Sequence, residues 1–296
     1  MQPTPEQLAV LSRKDRFWLR VALWFNGPLK WVSVVLISTY GLLMMWFTGG
    51  RRFRYHGLDH LSGLTRKSSI VLVANHRSFF DFYTIAYTGF RYSRMPRRSF
   101  FPVRAAFFYD GLLGAFVNFT MCGMAMFPPV MRERRKLRFN RWSLDRLEWE
   151  LRRPGTMVGI HPEGKRNKDP DPYTFLKPQP GVGHLAMRIE DLTIIPVFVK
   201  GMTNRAIHET WLNWTRPSSA PIDIRFGAPI DYADLYDPSN RRAANAIADR
   251  AMGAIESLAA EHRAWEDETG AAVWPERPTP VRAPAAVLRR LRASFR

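Results

Sequence analysis

From Ile70 onward the chain alternates short apolar runs with longer stretches whose apolar residues recur at helical spacing. The run "SIVLVAN" is short, continuous and rich in Val and Ile, as a strand buried on both faces is. It predicts a strand near Ile70 to Ala74, then a helix from about Ser78 to Phe90. A short strand near Ser99 to Val103 comes next. The apolar stretch from Phe107 to Phe127 is interrupted by Asp110 and three glycines, which predicts a core helix and then a strand around Met124 to Phe127. A long basic helix is expected from about Arg134 to Arg152. Beyond it, "TMVGI" reads as a strand, "GVGHLAMRIEDL" as a helix, and "TIIPVFV" and "IDIRF" as strands. "SNRRAANAIADRAMGAIESLAAEHRAW" reads as one long helix. Alternation of this kind predicts an α/β domain with a mixed, mostly parallel sheet flanked by helices.

The N-terminal region has a different pattern. Trp31 to Thr48, "WVSVVLISTYGLLMMWFT", carries no charge. As a helix it would be ~27 Å long, close to the ~30 Å hydrocarbon thickness of a bilayer. Trp31 and Trp46 sit near its ends as interface anchors do, with Lys30 before it and Arg51 and Arg52 after it. Basic residues on both sides give no orientation. The preceding "LSRKDRFWLRVALWF" mixes basic and aromatic residues, as interfacial helices do. No small-residue cleavage site follows a short apolar core, which predicts that the segment is retained. The expected organisation is a membrane-associated helix pair over residues 1–52, a catalytic or binding domain over 53–268, and a basic tail over 269–296. Leu288, Leu291 and Phe295 fall on one helical face of that tail, with arginines opposite.

Composition sharpens the picture at two points. The 296 residues suffice for a full core, and a formal net charge of +18 predicts an anionic partner. Arg outnumbers Lys by 36 to 8, and guanidinium grips phosphate bidentately. The single cysteine, Cys122, excludes an intramolecular disulfide, and one Cys with scattered His predicts no metal site.

His76 and Asp81 lie five positions apart in "NHRSFFD". The spacing alone is weak, because His262 and Asp267 share it in a run that reads as the solvated face of a helix. His76 differs by following a buried strand, where open α/β sheets place ligands. Residues five apart on a continuous helix sit roughly 140° from each other. The pair can therefore meet only if the chain bends, with Ser78 as N-cap and Asp81 in the first helical turn. A second turn, "HPEGKRNKD", ends the strand "TMVGI". There Glu163, Lys165 and Arg166 surround Gly164, whose missing side chain allows close approach of a ligand, and two adjacent cations can hold a phosphate.

With these motifs the sequence resembles the glycerolipid acyltransferases, the 1-acylglycerol-3-phosphate acyltransferases and their relatives. "NHRSFFD" stands at the family's N-H-x-x-x-x-D block, "PEGKR" at its P-E-G-T-R block, and "IIPVFV", around Pro196, at its proline-centred strand. "KPQPGVGHLA" supplies Lys177, Gly181, Leu185 and Ala186 at the expected places. The order holds from about Val71 to Val199. The second block is divergent: in "GMAMFPPVMR", Gly123, Phe127 and Arg132 are the candidates for its usual residues, and Lys165 replaces the threonine of the third.

The resemblance implies acyl transfer from acyl-CoA or an acyl carrier protein thioester to a lysophospholipid hydroxyl at a membrane, on its cytoplasmic face. No other cofactor, no metal and no nucleic acid would take part. It implies His76 as general base, with Asp81 fixing its tautomer. Asn75, Arg132, Glu163, Gly164, Lys165 and Arg166 would hold substrate. Acylation of another lysolipid or of glycerol-3-phosphate remains open. So does a non-catalytic basic protein that binds membranes or nucleic acid.

Overall fold

The five residues of β2, Ile70–Ala74, are all buried, and the strand is paired on both edges. Leu72 stands opposite Gly159 on one side and Ile195 on the other. The computed structural model of the chain describes residues 1–104, 112–240, 242–270, 278, 280 and 281. Around β2 it forms a six-stranded sheet from β1 (Phe53–His56), β3 (Arg98–Phe100), β6 (Thr156–Ile160), β7 (Thr193–Lys200) and β8 (Ile222–Phe226), in the order β1-β8-β7-β2-β6-β3. Neighbours run parallel except β7 and β8, so the mixed, mostly parallel sheet is as expected. A short parallel pair, β4 (Val103–Arg104) and β5 (Pro129–Val130), lies apart from it.

Helices cover both faces. The chain leaves β2 through α4 (Asp81–Tyr92), whose residues from Asp81 to Phe90 are all buried. Helix α4 packs on β7 and β8, and so does α9 (Ala243–Thr269), so the two occupy opposite faces of the sheet. Helix α6 (Leu137–Leu151) lies on β6, and α7 (Gly181–Ala186) wedges between α6 and α9. The remaining helices are α1 (Pro5–Ala9), α2 (Arg13–Phe25), α3 (Lys30–Gly50), α5 (Leu112–Cys122) and α8 (Ala206–Thr215).

Helix α3 runs unbroken through two π-helical turns, Ile37–Gly41 and Trp46–Gly50. Its 21 residues span about 31 Å. Only a third of its most apolar window is buried. It rests on α4, and Ile37 and Met45 enter the same core as Leu19, Ala22 and Leu23 of α2. Polar bonds lock the α2–α3 corner to the sheet side: Asn26 Nδ2 donates to the Met124 carbonyl at 2.7 Å and Ser33 Oγ to that of Cys122 at 3.1 Å. The N-terminal helices thus share the core of the domain that follows. Phe17, Trp24, Trp31 and Leu43 stay exposed on them.

Several expectations need correction. Ser78 is not the helix cap; α4 begins at Asp81, and Phe80 precedes it without a side-chain cap. No strand covers Met124 to Phe127; those residues bend through a left-handed Met124, and pairing starts only at Pro129. The helix at Gly181 stops at Ala186 and does not run on to Leu192. Strand β1 and helix α8 were not foreseen. The tail residues Leu288, Leu291 and Phe295 lie outside the described residues.

His262 faces inward rather than solvent, and it is fully buried. Arg54 of β1 grips both oxygens of Asp223 at 2.6 and 2.7 Å. His56 and His262 each approach the same carboxylate at 3.3 Å, and His262 Nδ1 meets the Tyr173 hydroxyl at 3.0 Å. Burial alone would raise the Asp223 carboxyl, but His262, His56 and Arg54 hold it well below the usual carboxylate range. This cluster ties β1, β8 and α9 together at a distance from the cleft described below.

Helix α7 approaches α9 so closely that a Cβ on Gly183 would lie 1.8 Å from the Ala244 carbonyl oxygen, whereas one on Gly253 of α9 would meet nothing within 4 Å. Gly183→Ala is expected to cost about 1–3 kcal/mol through overpacking. Gly253→Ala should stabilise by about 0.4–1 kcal/mol. Thermal midpoints of the two variants, moving in opposite directions, check the packing.

Candidate active site

The parallel pairing of β2 with β6 brings two histidines together. Val73 pairs with Ile160, so His161 follows directly beside the chain that reaches His76. Their imidazole rings stack with centroids 3.8 Å apart and planes within 8°. His161 Nδ1 lies 2.9 Å from the Ala74 carbonyl oxygen, which assigns its proton to that nitrogen. Phe82 covers its other side at 4.2 Å between centroids.

Between His76 and Asp81 the chain turns sharply, and one oxygen causes it. Asp81 Oδ2 accepts from the backbone amides of Arg77 and Ser78, both at 2.8 Å, and lies 3.1 Å from His76 Nδ1. Ser78 Oγ in turn accepts from the Phe80 amide at 3.1 Å and donates to the Thr203 carbonyl at 2.9 Å. The carboxylate therefore does the work expected of a serine cap, and does it from within the helix. With Nδ1 turned to Asp81, Nε2 is the His76 nitrogen left for a substrate.

Electrostatics keep that nitrogen unprotonated. Burial pushes the His76 imidazole far below its ordinary value, and the Arg166 guanidinium adds to the effect. Burial, with His76 beside it, lowers His161 to about 3. Burial raises the Asp81 carboxyl to about 6, opposed by the amides of Ser78 and Arg77. At neutral pH the site therefore pairs a neutral His76 with an ionised Asp81, the state a general base requires.

The turn after β6 is built around Glu163. Its buried carboxylate accepts from the His76 amide at 2.8 Å and from the Leu176 amide at 3.1 Å. Gly164 then takes φ +65°, a conformation that favours glycine. Its carbonyl accepts from Arg132 Nη2 at 2.6 Å, which brings the divergent second block to the third.

His76 opens onto a cleft of about 960 Å³. Its lining carries five cations, Arg104, Arg132, Lys165, Arg166 and Lys168, and no carboxylate is among the described lining residues. Most of the other lining residues are apolar, Phe101, Met126, Val130, Leu144, Leu147, Ile160 and Leu185 among them.

Of the predicted site residues, His76, Arg132, Gly164, Lys165 and Arg166 line the cleft. Asp81 lies behind His76. Two expected substrate ligands do not reach it. Asn75 is fully buried and spent on β7, donating to the Val199 carbonyl at 2.9 Å and accepting from its amide at 2.8 Å. Glu163 is spent on the two amides of its own turn. Lys177 is exposed and does not line the cleft. Sequence reasoning missed His161, Arg104 and Lys168. His161 was legible by the rule that singled out His76, since it too follows an apolar strand.

Two groups place three potential metal ligands within 4.8 Å of one another: His76, Asp81 and His161, and His56, Asp223 and His262. In the first, parallel stacked rings do not converge on a point, and His161 Nδ1 is taken by a carbonyl. In the second, Arg54 already occupies both Asp223 oxygens and puts a positive charge where a cation would sit.

A mostly parallel sheet with a His–Asp turn at the end of one strand and a cationic turn at the end of its neighbour defines an acyltransferase-like α/β protein. The acyltransferase family model matches residues 52–200, and the chain belongs to that family. Among solved structures it is similar to the 1-acyl-sn-glycerophosphate (LPA) acyltransferase PlsC of Thermotoga maritima. The TM-score is 0.50 at 15% identity, with 92% of this chain and 98% of that one covered, a likeness of fold. No curated protein sequence matches it.

An imidazole whose folded pKa lies below its unfolded value takes up its proton first in the unfolded chain. Stability is therefore lost as pH falls below about 6.5, by up to about 1.4 kcal/mol per pH unit for each such group. Asp81, with its raised pKa, acts in the opposite sense. His161→Phe removes one of the two depressed imidazoles of the site. It should lose less stability than the parent between pH 7.5 and 4.5, measured as the shift in urea midpoint.

Proposed function

We propose that the chain transfers a fatty acyl group from an acyl thioester, acyl-CoA or acyl carrier protein, to the free hydroxyl of 1-acylglycerol-3-phosphate, making phosphatidic acid at a membrane surface. One observation carries the reading: a neutral His76, oriented by Asp81, stands in a cleft lined by both cationic and apolar side chains. A lysolipid with a phosphate head and an acyl tail has the same division of chemistry.

In the proposed reaction the acceptor hydroxyl gives its proton to His76 Nε2 as its oxygen attacks the thioester carbonyl carbon. The tetrahedral intermediate collapses, the C–S bond breaks, and the thiolate leaves with the proton that His76 returns. Asp81 keeps the Nδ1–H tautomer and stabilises the transient imidazolium. No acyl-enzyme is needed. Arg166 and Arg132 would hold the phosphate by charge-assisted hydrogen bonds, with Lys165 and Lys168 in support. Glu163 positions the turn rather than touching substrate.

Membrane association is part of the same reading. Helix α3 is long and apolar enough to cross a bilayer, yet it lies against α4 and shares the domain's core. A monotopic seat, with its exposed apolar residues in the lipid and the cleft on the cytoplasmic face, fits both facts.

The experiment is thioester-dependent acylation of a panel of lysolipids and of glycerol-3-phosphate, read by mass spectrometry. Transfer to lysophosphatidic acid above the others supports the proposal. Transfer to an unphosphorylated lysolipid alone points to another acceptor, and salt-sensitive DNA binding without turnover points to a non-catalytic basic protein. His76→Ala should lower turnover roughly 10²–10⁴-fold. His262→Ala should lower thermal stability while the folded protein keeps its turnover. Arg166→Ala should raise the acceptor KM by roughly ten- to a hundredfold, the loss of a charge-assisted bond of about 1.5–3 kcal/mol, and leave the donor KM nearly unchanged.

A further inference from the structure

Helix α8 is inverted relative to an ordinary surface helix. Its polar residues Glu209 and Asn213, four apart, point inward and are fully buried. Its apolar residues Ile207, Trp211 and Trp214, at i, i+4 and i+7, point outward and are 88%, 47% and 41% exposed. In water, leaving those three apolar side chains outward is unfavourable.

The inversion is fixed by bonds to the end of α3. Glu209 forms a buried ion pair with Arg52 at 2.5 Å. Asn213 accepts from the Arg51 amide at 2.9 Å and donates to the Phe47 carbonyl at 2.8 Å. The Trp214 ring packs on Trp46 and Phe47 with centroids 5.4 and 5.3 Å away. The outward face of α8 is thereby continuous with the exposed apolar end of α3. The charges around it are cationic: Arg205 and Arg216 bracket the helix, Arg51 lies over Trp214, and the acid nearest its middle is buried.

We propose that α8 is a second membrane-docking element that seats Ile207, Trp211 and Trp214 in the headgroup region of an anionic phospholipid bilayer, beside α3. The proposal rests on the membrane association put forward above, and it commits to a lipid partner because an apolar, aromatic face rimmed by arginines matches an anionic interface. The helix is also joined to the candidate site. The loop between β7 and α8 accepts hydrogen bonds from the turn around His76, Ser78 Oγ to the Thr203 carbonyl at 2.9 Å and the Phe79 amide to Asn204 Oδ1 at 2.7 Å. Docking of α8 therefore sets the position of the cleft relative to the lipid surface.

The test uses the full chain with vesicles of phosphatidylglycerol and phosphatidylcholine. Ile207→Cys and, on the exposed face of α9, Ser257→Cys are each labelled with an environment-sensitive fluorophore; Cys122 is buried and stays unlabelled. On vesicles, the probe at position 207 should be quenched by lipid-borne nitroxide and shielded from aqueous iodide, and the probe at 257 should show the reverse. In parallel, the double variant Ile207→Glu, Trp211→Glu should transfer acyl groups to a vesicle-embedded acceptor about tenfold less, while transfer to the same acceptor in detergent micelles is retained. A vesicle-bound protein whose 207 probe remains open to iodide overturns the proposal. So does shielding of that probe without lipid that grows with protein concentration, which would make a second copy the partner. A chain that leaves the vesicles in the aqueous fraction overturns membrane association itself. Absence of transfer in micelles by the parent protein overturns the acyltransferase reading and leaves the quenching result standing.

Discussion

One carboxylate oxygen organises the centre of this molecule. Asp81 Oδ2 gathers two backbone amides and the His76 imidazole, and by doing so it bends the chain between a buried strand and a buried helix. Without that bend, the five-residue spacing would carry the histidine and the aspartate to different faces. The anchoring works because Asp81 itself is fixed at the start of a helix buried along most of its length, between the sheet and α3. A buried carboxylate with three donors is costly to leave unpaired, so the turn has one arrangement rather than several.

The second strand end is matched to the first. Glu163 reaches across from the turn after β6 to the amide of His76, so each of the two turns is held partly by the other. Arg132 then ties the segment after β5 to Gly164. Three stretches far apart in sequence are made to share one cleft by hydrogen bonds to backbone, which depend little on which side chains line the opening. Lys165, at the position where the resemblance implies threonine, belongs to a loop whose shape is set by these backbone bonds.

The sequence displayed every strand of the sheet but β1, and the His–Asp pair, because these follow from local patterns, a continuous apolar run and a motif beside it. Its misreadings have physical causes. Asn75 opens a recognisable motif, but its amide imitates a backbone pair and extends the strand edge, which only the position of Val199 reveals. His262 sits among charged neighbours whose helix turns them outward, while the imidazole points at a carboxylate 39 residues earlier in the chain. Helix α8 escaped notice because its buried positions, Glu209 and Asn213, are polar, so no inward apolar stripe marks it. Arg132 was named from a weak match, and only the distance to Gly164 gives it a place.

Under the proposed function, the cations of the cleft have a consequence for how catalytic effort is divided. In the proposed reaction a phosphate monoester on the acceptor would pass through acyl transfer unaltered, so arginines gripping it would bind reactant, transition state and product alike. Such uniform binding concentrates substrate at low supply but leaves the barrier between bound states where it was. It also holds on to the product as firmly as to the reactant. Turnover then depends on the newly attached chain, whose preference for the bilayer interior must draw the finished lipid off the guanidinium groups.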